Sequence, residues 1–416
     1  MDRDREMEQF IRAGGYAGPS YSVSSTRETW LHDDIAVEVS TLIPNAPGQL
    51  PVVVYLPGTG EDTEHGELWR RPWAQAGYAV VSIQPKEYGE ALWARQQAKP
   101  GDFKAVGRTV FSRHALEQRL AQLRWALDQL AARIRSGHGR YANLDTGRMA
   151  LAGYDLGAQA TMALAGEKID LALPNSLPVF QTAIAISPYA DPVREPVAGR
   201  YANVRLPLLL VGSEQDVDPA AISTPASRKS LWSDLPPGEK YQLLFARANH
   251  RLLSGTMSNS LYWSEVIGPI IHERGRRIPG AGAGGYDGAS GATSRAGKGW
   301  LNEMAAEFGA SKAVLDYDAK AGATSSGGGG GGASGRRPAG MGAGEAGDHR
   351  KPKNWDAENR QAEIEIQTSA ARQMAIVVSV TTAFLDARLK ESKTARAWLA
   401  DDAAAWLKEY AQWLRK

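Results

Sequence analysis

The apolar positions of this chain fall into short dense runs separated by longer amphipathic stretches. From Tyr21 to Ile43 apolar and polar residues alternate, as in Ile35-Ala-Val-Glu-Val-Ser-Thr-Leu-Ile43, which is the period of half-buried strands. The turn Asn45-Ala-Pro-Gly-Gln49 follows. Mostly apolar runs then occupy residues 50–56, 78–83, 148–152, 182–187, 206–211 and 241–246. Strands covered on both faces read this way. Helical patterns lie between them: residues 68–76, residues 113–135 with Leu116, Leu120, Leu123, Leu127 and Leu130 on one side, and a start at 158–164. This alternation predicts an α/β fold, a doubly wound and mostly parallel sheet flanked by helices, with antiparallel strands at an edge.

The ends and one long interior stretch break the pattern. Residues 1–20 are polar and read as an arm that orders on contact, and 21–273 form the core. Gly, Ala and Ser dominate from about 274 to 363, including the run Gly327 to Gly332, which predicts a largely disordered insertion. One helical patch, Trp300-Leu-Asn-Glu-Met-Ala-Ala-Glu-Phe308, interrupts it. Residues 364–416 return to helical patterns, at 371–389 and 394–414. The second brings Trp398, Trp406 and Trp413 near one another, as a face packed on the core or, alternatively, as a membrane-surface or partner helix.

Composition narrows the function classes. The 416 residues carry a net charge of +2, which argues against nucleic-acid binding. The absence of cysteine excludes disulfides, thiolate metal sites and a Cys nucleophile. No metal-ligand spacing is present and no cofactor is expected. The charged start and the lack of a long apolar run predict no signal peptide and no transmembrane segment. As written the chain reads as cytoplasmic, with a secreted mature form left open. Oligomeric state is not readable.

Gly153-Tyr154-Asp155-Leu156-Gly157 lies where the strand at 148–152 meets the helix starting at 158. It has the form of a nucleophile elbow, with the central residue thrown out at the top of the sheet and glycines on both sides for steric reasons. Two further candidates follow later strand ends. Gly212-Ser-Glu-Gln-Asp216-Val-Asp218 supplies an acid, either Asp216 or Asp218, and Arg247-Ala-Asn-His250 supplies a base. Ligands bind at such carboxyl ends in open α/β sheets. The expected site is therefore Asp155 in the nucleophile position, His250 as base and Asp216 as orienting acid. Backbone N–H groups of Leu156 and of the Gly58-Thr59-Gly60 loop are the expected oxyanion hole, and Tyr154, His65 and Asp218 are pocket candidates.

Together these segments resemble the α/β-hydrolase superfamily, and within it the bacterial dienelactone hydrolase and platelet-activating-factor acetylhydrolase-like group. The residues carrying the likeness are Leu50-Pro-Val-Val-Val-Tyr-Leu-Pro-Gly58, Trp73-Ala-Gln-Ala-Gly-Tyr-Ala-Val-Val-Ser82, Met149-Ala-Leu-Ala-Gly-Tyr-Asp-Leu-Gly157, Leu208-Leu-Leu-Val-Gly-Ser-Glu-Gln-Asp216 and Thr381-Thr-Ala-Phe-Leu-Asp-Ala-Arg-Leu-Lys390. The resemblance implies cofactor-independent hydrolysis of an esterase-like small-molecule substrate, with residues 364–416 completing the hydrolase domain. Two positions depart from the group: Pro57-Gly58 replaces His-Gly, and Asp155 replaces the serine. A carboxylate attacking an ester carbonyl gives a mixed anhydride, whereas on a saturated carbon it gives an alkyl ester that activated water can cleave. The elbow is thus also similar to those of haloalkane dehalogenases and epoxide hydrolases. Only about twenty residues separate Ile186 from Leu206, too few for the helical cap of those families. A catalytically silent member with a binding or scaffold role is the alternative.

Overall fold

The computed structural model describes residues 2–32, 35–94, 103–137, 139–169, 179–190, 199–256, 355–408 and 410–416. Among these, nine strands form one sheet: β1 (Val23–His32), β2 (Ile35–Pro44), β3 (Leu50–Leu56), β4 (Ala79–Pro85), β5 (Leu144–Tyr154), β6 (Thr182–Ile186), β7 (Leu208–Ser213), β8 (Lys240–Phe245) and β9 (Ala411–Arg415). Their order is β1-β2-β4-β3-β5-β6-β7-β8-β9. Pairings from β4 through β8 are parallel, and β1–β2, β2–β4 and β8–β9 are antiparallel. The chain is an α/β protein with a mostly parallel sheet flanked by helices, as its pattern predicts.

Strand β3 explains why the sheet needs cover on both sides. Val52, Val54 and Leu56 share an apolar core with Leu116, Leu120 and Leu123 of the helix α4 (Arg113–Ser136). Tyr55 points the other way, its ring 6.1 Å from Trp73 of α2 (Glu67–Gln75). Alternation along a strand makes both faces apolar only when the run is continuous. On the Tyr55 side the long helix α8 (Trp355–Leu389) also packs: Trp73 Nε1 donates to Thr381 Oγ1 at 2.9 Å, and Phe384 lies 5.6 Å from Tyr241 of β8. Residues 1–262 and 368–416 cluster as one unit, and 263–367 as another.

The chain ends add one element and correct one expectation. The polar arm contains a helix, α1 (Arg3–Arg12), started by the Asp2 side chain, which accepts from the Asp4 and Arg5 N–H groups. Residues 394–414 are not one helix. Short helical segments Lys393–Ala397, Trp398–Asp402 and Ala403–Leu407 end at Lys408, where φ is 40°, and the chain then turns into β9. A further strand therefore follows β8. The antiparallel edge strand β9 reads locally as an extension of an amphipathic helix, and only β8 beside it makes it a strand. The tryptophans follow this break: Trp398 and Trp406 meet at 5.7 Å, while Trp413 stacks on Tyr241 at 5.4 Å. Trp398 is buried, so it offers no membrane-facing surface. Residues 274–354 of the expected Gly-rich insertion, with the Trp300–Phe308 patch, lie outside the described residues, and residues 355–363, also expected in the insertion, instead open α8. No helix among the described residues is long and apolar enough to cross a membrane.

Candidate active site

Strand β5 ends at Tyr154 and the helix α5 (Leu156–Leu164) begins two residues on, leaving Asp155 alone at the corner with φ 50° and ψ −108°. A non-glycine residue enters that region only at a conformational cost. The flanking glycines make the corner possible. A Cβ on Gly157 would run into the Leu56 carbonyl, and one on Gly153 would meet the Gly157 carbonyl. Asp155 is fixed further by its N–H donating to the Ile186 carbonyl at 3.0 Å and by its own carbonyl accepting from Gln159 N–H at 3.0 Å.

The two oxygens of the Asp155 carboxylate have different surroundings. Oδ2 accepts from the Thr59 N–H at 3.1 Å and from the Thr59 hydroxyl at 2.6 Å. Oδ1 lies 3.9 Å from His250 Nε2, beyond hydrogen-bond range. The cradle expected over three loop residues narrows to Thr59. Gly58 N–H donates to Glu61 Oε2 and Gly60 N–H to the Tyr88 carbonyl, both at 2.9 Å, so neither amide is free to face Asp155. Leu156 opens α5, with its side chain in an apolar cluster with Tyr88, Leu92, Val110 and Phe111.

His250 begins α7 (His250–Ser254), whose first turn is capped by the Asn249 side chain accepting from Leu252 N–H at 2.8 Å. Its Nδ1 lies 2.7 Å from Asp216 Oδ1 and 3.0 Å from Ser187 Oγ. Asp216 is fully buried, and Arg228 of α6 (Pro225–Asp234) sits 3.2 Å from the same Oδ1 while donating to the Asp216 carbonyl. Asp218 is committed elsewhere: its carboxylate accepts the N–H groups of Ala220, Ile222 and Ser223 at 2.8–2.9 Å. Of the two candidate acids, Asp216 is the one brought to the histidine. Tyr154 packs under His250 with ring centroids 5.1 Å apart, and its hydroxyl donates to the His250 carbonyl at 2.9 Å. It holds the histidine's backbone. His65 is engaged locally, with Nδ1 2.5 Å from Asp62 Oδ1, and is not brought to His250 or Asp155.

The field at the site follows from these contacts. Burial alone would push the His250 imidazole down, but the Asp216 and Asp155 carboxylates outweigh it, despite Arg228, and hold it above the ordinary histidine value. Burial would push Asp216 up, and Arg228 and His250 together reverse that and hold it below the usual carboxylate range. Loss of hydration raises the neighbouring Glu61 carboxyl, with Asp155 adding to the effect.

Two residues of this arrangement escape the sequence reading. Ser187 directly follows β6 and has φ 48°, so it occupies a strand's carboxyl end just as Asp155 does after β5. The rule that found the other candidates would have found it, had the serine not been absorbed into the strand. Arg228 carries no such signal, because a single arginine in a polar helix reads as solvated surface. Among the described residues no group of three or more His, Cys, Asp or Glu side chains is placed to hold a metal ion.

No family model matches the chain, and no curated protein matches it in sequence. Among solved structures the chain is similar to a protein described as a dienelactone hydrolase from Klebsiella pneumoniae subsp. pneumoniae, at 17% identity. That match covers 55% of this chain and 88% of the other, with a TM-score of 0.41.

Proposed function

We propose that this protein is a cofactor-independent hydrolase acting through Asp155, His250 and Asp216, and that its electrophile is a saturated carbon. The observation that carries this reading is the asymmetry of the Asp155 carboxylate. Thr59 holds Oδ2 with two donors, and Oδ1 faces His250 without a bond to it. In a serine-type hydrolase those donors would receive the substrate's carbonyl oxygen. Here the nucleophile's own oxygen fills the place, so an ester carbonyl would have to displace it.

The chemistry then runs in two balanced steps. Oδ1 attacks a saturated carbon, and the bond to the leaving group breaks with its electron pair, as halide or as an alkoxide that takes up a proton from solvent. The product of this step is an alkyl ester of Asp155. Water then attacks Cγ while His250 Nε2 accepts its proton. The negative charge that develops on Oδ2 is met by the Thr59 N–H and hydroxyl, already in position. Collapse expels the alcohol, which takes the proton back from His250 and leaves Asp155 as the acid; that proton then passes to solvent and restores the carboxylate. Asp216 holds Nδ1 protonated and so keeps Nε2 free as the base.

A second reading, a catalytically silent protein with a binding role, draws on the same two Thr59 bonds and on the 6% exposure of Asp155, which describe a carboxylate held in place. One assay separates them. Wild type, Asp155→Asn and Asp155→Ser are offered an epoxide, a haloalkane and p-nitrophenyl acetate. Turnover of the first or second by wild type alone supports the saturated-carbon reading. A silent wild type beside an Asp155→Ser variant that cleaves the acetate supports the silent one.

A further inference from the structure

The loop that reaches Asp155 and the segment that carries His250 lie far apart in sequence, and one carboxylate touches both. Glu61 Oε2 accepts the Gly58 N–H at 2.9 Å, and Oε1 accepts the Thr256 hydroxyl at 3.1 Å. Thr256 stands two residues beyond α7, and its Oγ1 also accepts the Gly66 N–H at 3.0 Å. On the other side of the loop, Gln84 Nε2 donates to the carbonyls of Gly58 and Glu61, each at 3.1 Å. The Tyr154 ring leaves no room for a Cβ at Gly58.

We propose that Glu61 is a positioning residue that sets the register between the Thr59 donors and His250 across the Asp155 carboxylate; this rests on the hydrolytic reading above. With the Gly58 N–H turned to Glu61, the next amide, that of Thr59, is the one that meets Asp155 Oδ2. The bond to Thr256 then ties this loop to the end of the helix whose first residue faces Oδ1. Glu61 thereby fixes two groups on opposite oxygens of one carboxylate without touching that carboxylate itself. Catalytic groups displaced by even about 1 Å lose rate steeply, so such a tie acts on turnover more than on binding.

The test uses the full chain with Glu61→Ala, Glu61→Gln, Thr256→Val and the double variant Glu61→Ala/Thr256→Val. Glutamine can accept from Gly58 N–H and donate to Thr256 Oγ1, so it keeps both contacts. Turnover is measured on whichever epoxide or haloalkane the wild type hydrolyses, and hydrogen exchange is followed in residues 56–66 and 246–256, which needs no substrate. Glu61→Ala is expected to lower kcat about 10- to 100-fold with KM within about twofold, the scale of a misaligned oxyanion donor. Thr256→Val should act in the same direction by less, and the double variant should match Glu61→Ala within about twofold, since the two residues share one contact. Glu61→Gln should stay within about threefold of wild type. Exchange should quicken in both segments in Glu61→Ala and in neither in Glu61→Gln.

Unchanged kcat in Glu61→Ala, equal damage from Glu61→Gln, or faster exchange confined to residues 56–66 would overturn the proposal. Should Glu61→Ala fail to fold, Thr256→Val carries the test, because it cuts the tie and spares the Gly58 contact. An inactive wild type, with both segments still loosening together in Glu61→Ala, would reject the hydrolytic reading and leave the tie standing.

Discussion

The Nδ1 side and the Nε2 side of His250 each meet a buried aspartate, and the two are held in opposite ways. On the Nδ1 side, Asp216 has a cation beside it in Arg228, a ring N–H at 2.7 Å and the Ser187 hydroxyl close to the same ring nitrogen. Its charge is balanced in place. On the Nε2 side, the bonds to the Asp155 carboxylate among the described residues are from the N–H and hydroxyl of Thr59, both to one oxygen. A third buried aspartate sharpens the contrast. Asp386 accepts from the Tyr16 and Tyr78 hydroxyls and pairs with Lys390, so both its oxygens are engaged. A carboxylate paired with a buried cation holds a structure together, and one set beside a base without a cation paired to it is suited to react.

The strongest way to break this comparison is to remove the group on the Nε2 side. Asp155→Asn is expected to lose turnover by about 10⁴-fold or more, because the amide is no nucleophile toward carbon. His250→Ala should fail differently. With Asp155 intact the first step proceeds and the second does not, so the protein should gain the mass of one alkyl group per chain. Intact-protein mass spectrometry after incubation with substrate reads this directly. An unmodified His250→Ala chain, alongside an active wild type, would remove Asp155 from the nucleophile role.

The next test contrasts the two sides in stability. Asp216→Asn leaves the buried Arg228 without its charge partner, and losing one member of such a pair costs about 3–5 kcal/mol. Its kcat should also fall by about 10⁴-fold, through loss of the imidazole's tautomer and orientation. Asp155→Asn should leave stability unchanged or raised, since strained reactive groups are commonly held at the expense of the fold. Urea unfolding of both variants at neutral pH decides it. Equal losses would mean that Asp155 is as structural as Asp216.

The backbone is the third target and needs no substrate. Gly157→Ala places a methyl against the Leu56 carbonyl, and backbone on both sides leaves little room for relief. Overpacking of this kind costs about 1–3 kcal/mol, and more where backbone must move. Gly212→Ala, where a Cβ meets nothing within 4 Å, is the control and should cost less than about 1 kcal/mol. Equal midpoints for the two variants would show that the elbow is looser than its contacts imply.

Much of the sheet is legible along the chain because strands covered on both faces must be apolar at nearly every position. The elbow is legible because two glycines are sterically required around Asp155. The choice of Asp216 over Asp218 is not, since both follow the same strand and only the folded loop turns Asp218 onto three backbone N–H groups. The narrowing of the cradle to Thr59 is equally hidden, because it depends on Glu61 and Tyr88 capturing the neighbouring amides. Strand β9 was unreadable for a different reason. Its apolar spacing suits a helix, and only an unpaired edge of β8 turns it into a strand.

The smallest expected effect is in proton affinity, and it ranks the two aspartates on one scale. Both raise His250, Asp216 more than Asp155. Titration of the imidazole by NMR should therefore give an inflection above the ordinary value of about 6.5 in wild type, lower in Asp155→Asn and lower still in Asp216→Asn. The signs carry over to activity and to folding. The base must be neutral, so kcat/KM should rise with pH through the raised His250 value. In folding, a raised histidine contributes stability that is fully present below about pH 6.5 and lost as pH rises through its folded value. Asp216, held low, contributes stability present above about pH 3.9 and lost as pH falls through its folded value. Unfolding free energies of wild type and His250→Gln should accordingly converge as pH climbs past the imidazole's inflection. A gap that widens instead would mean that His250 is held neutral in the fold, and that burial outweighs both carboxylates beside it.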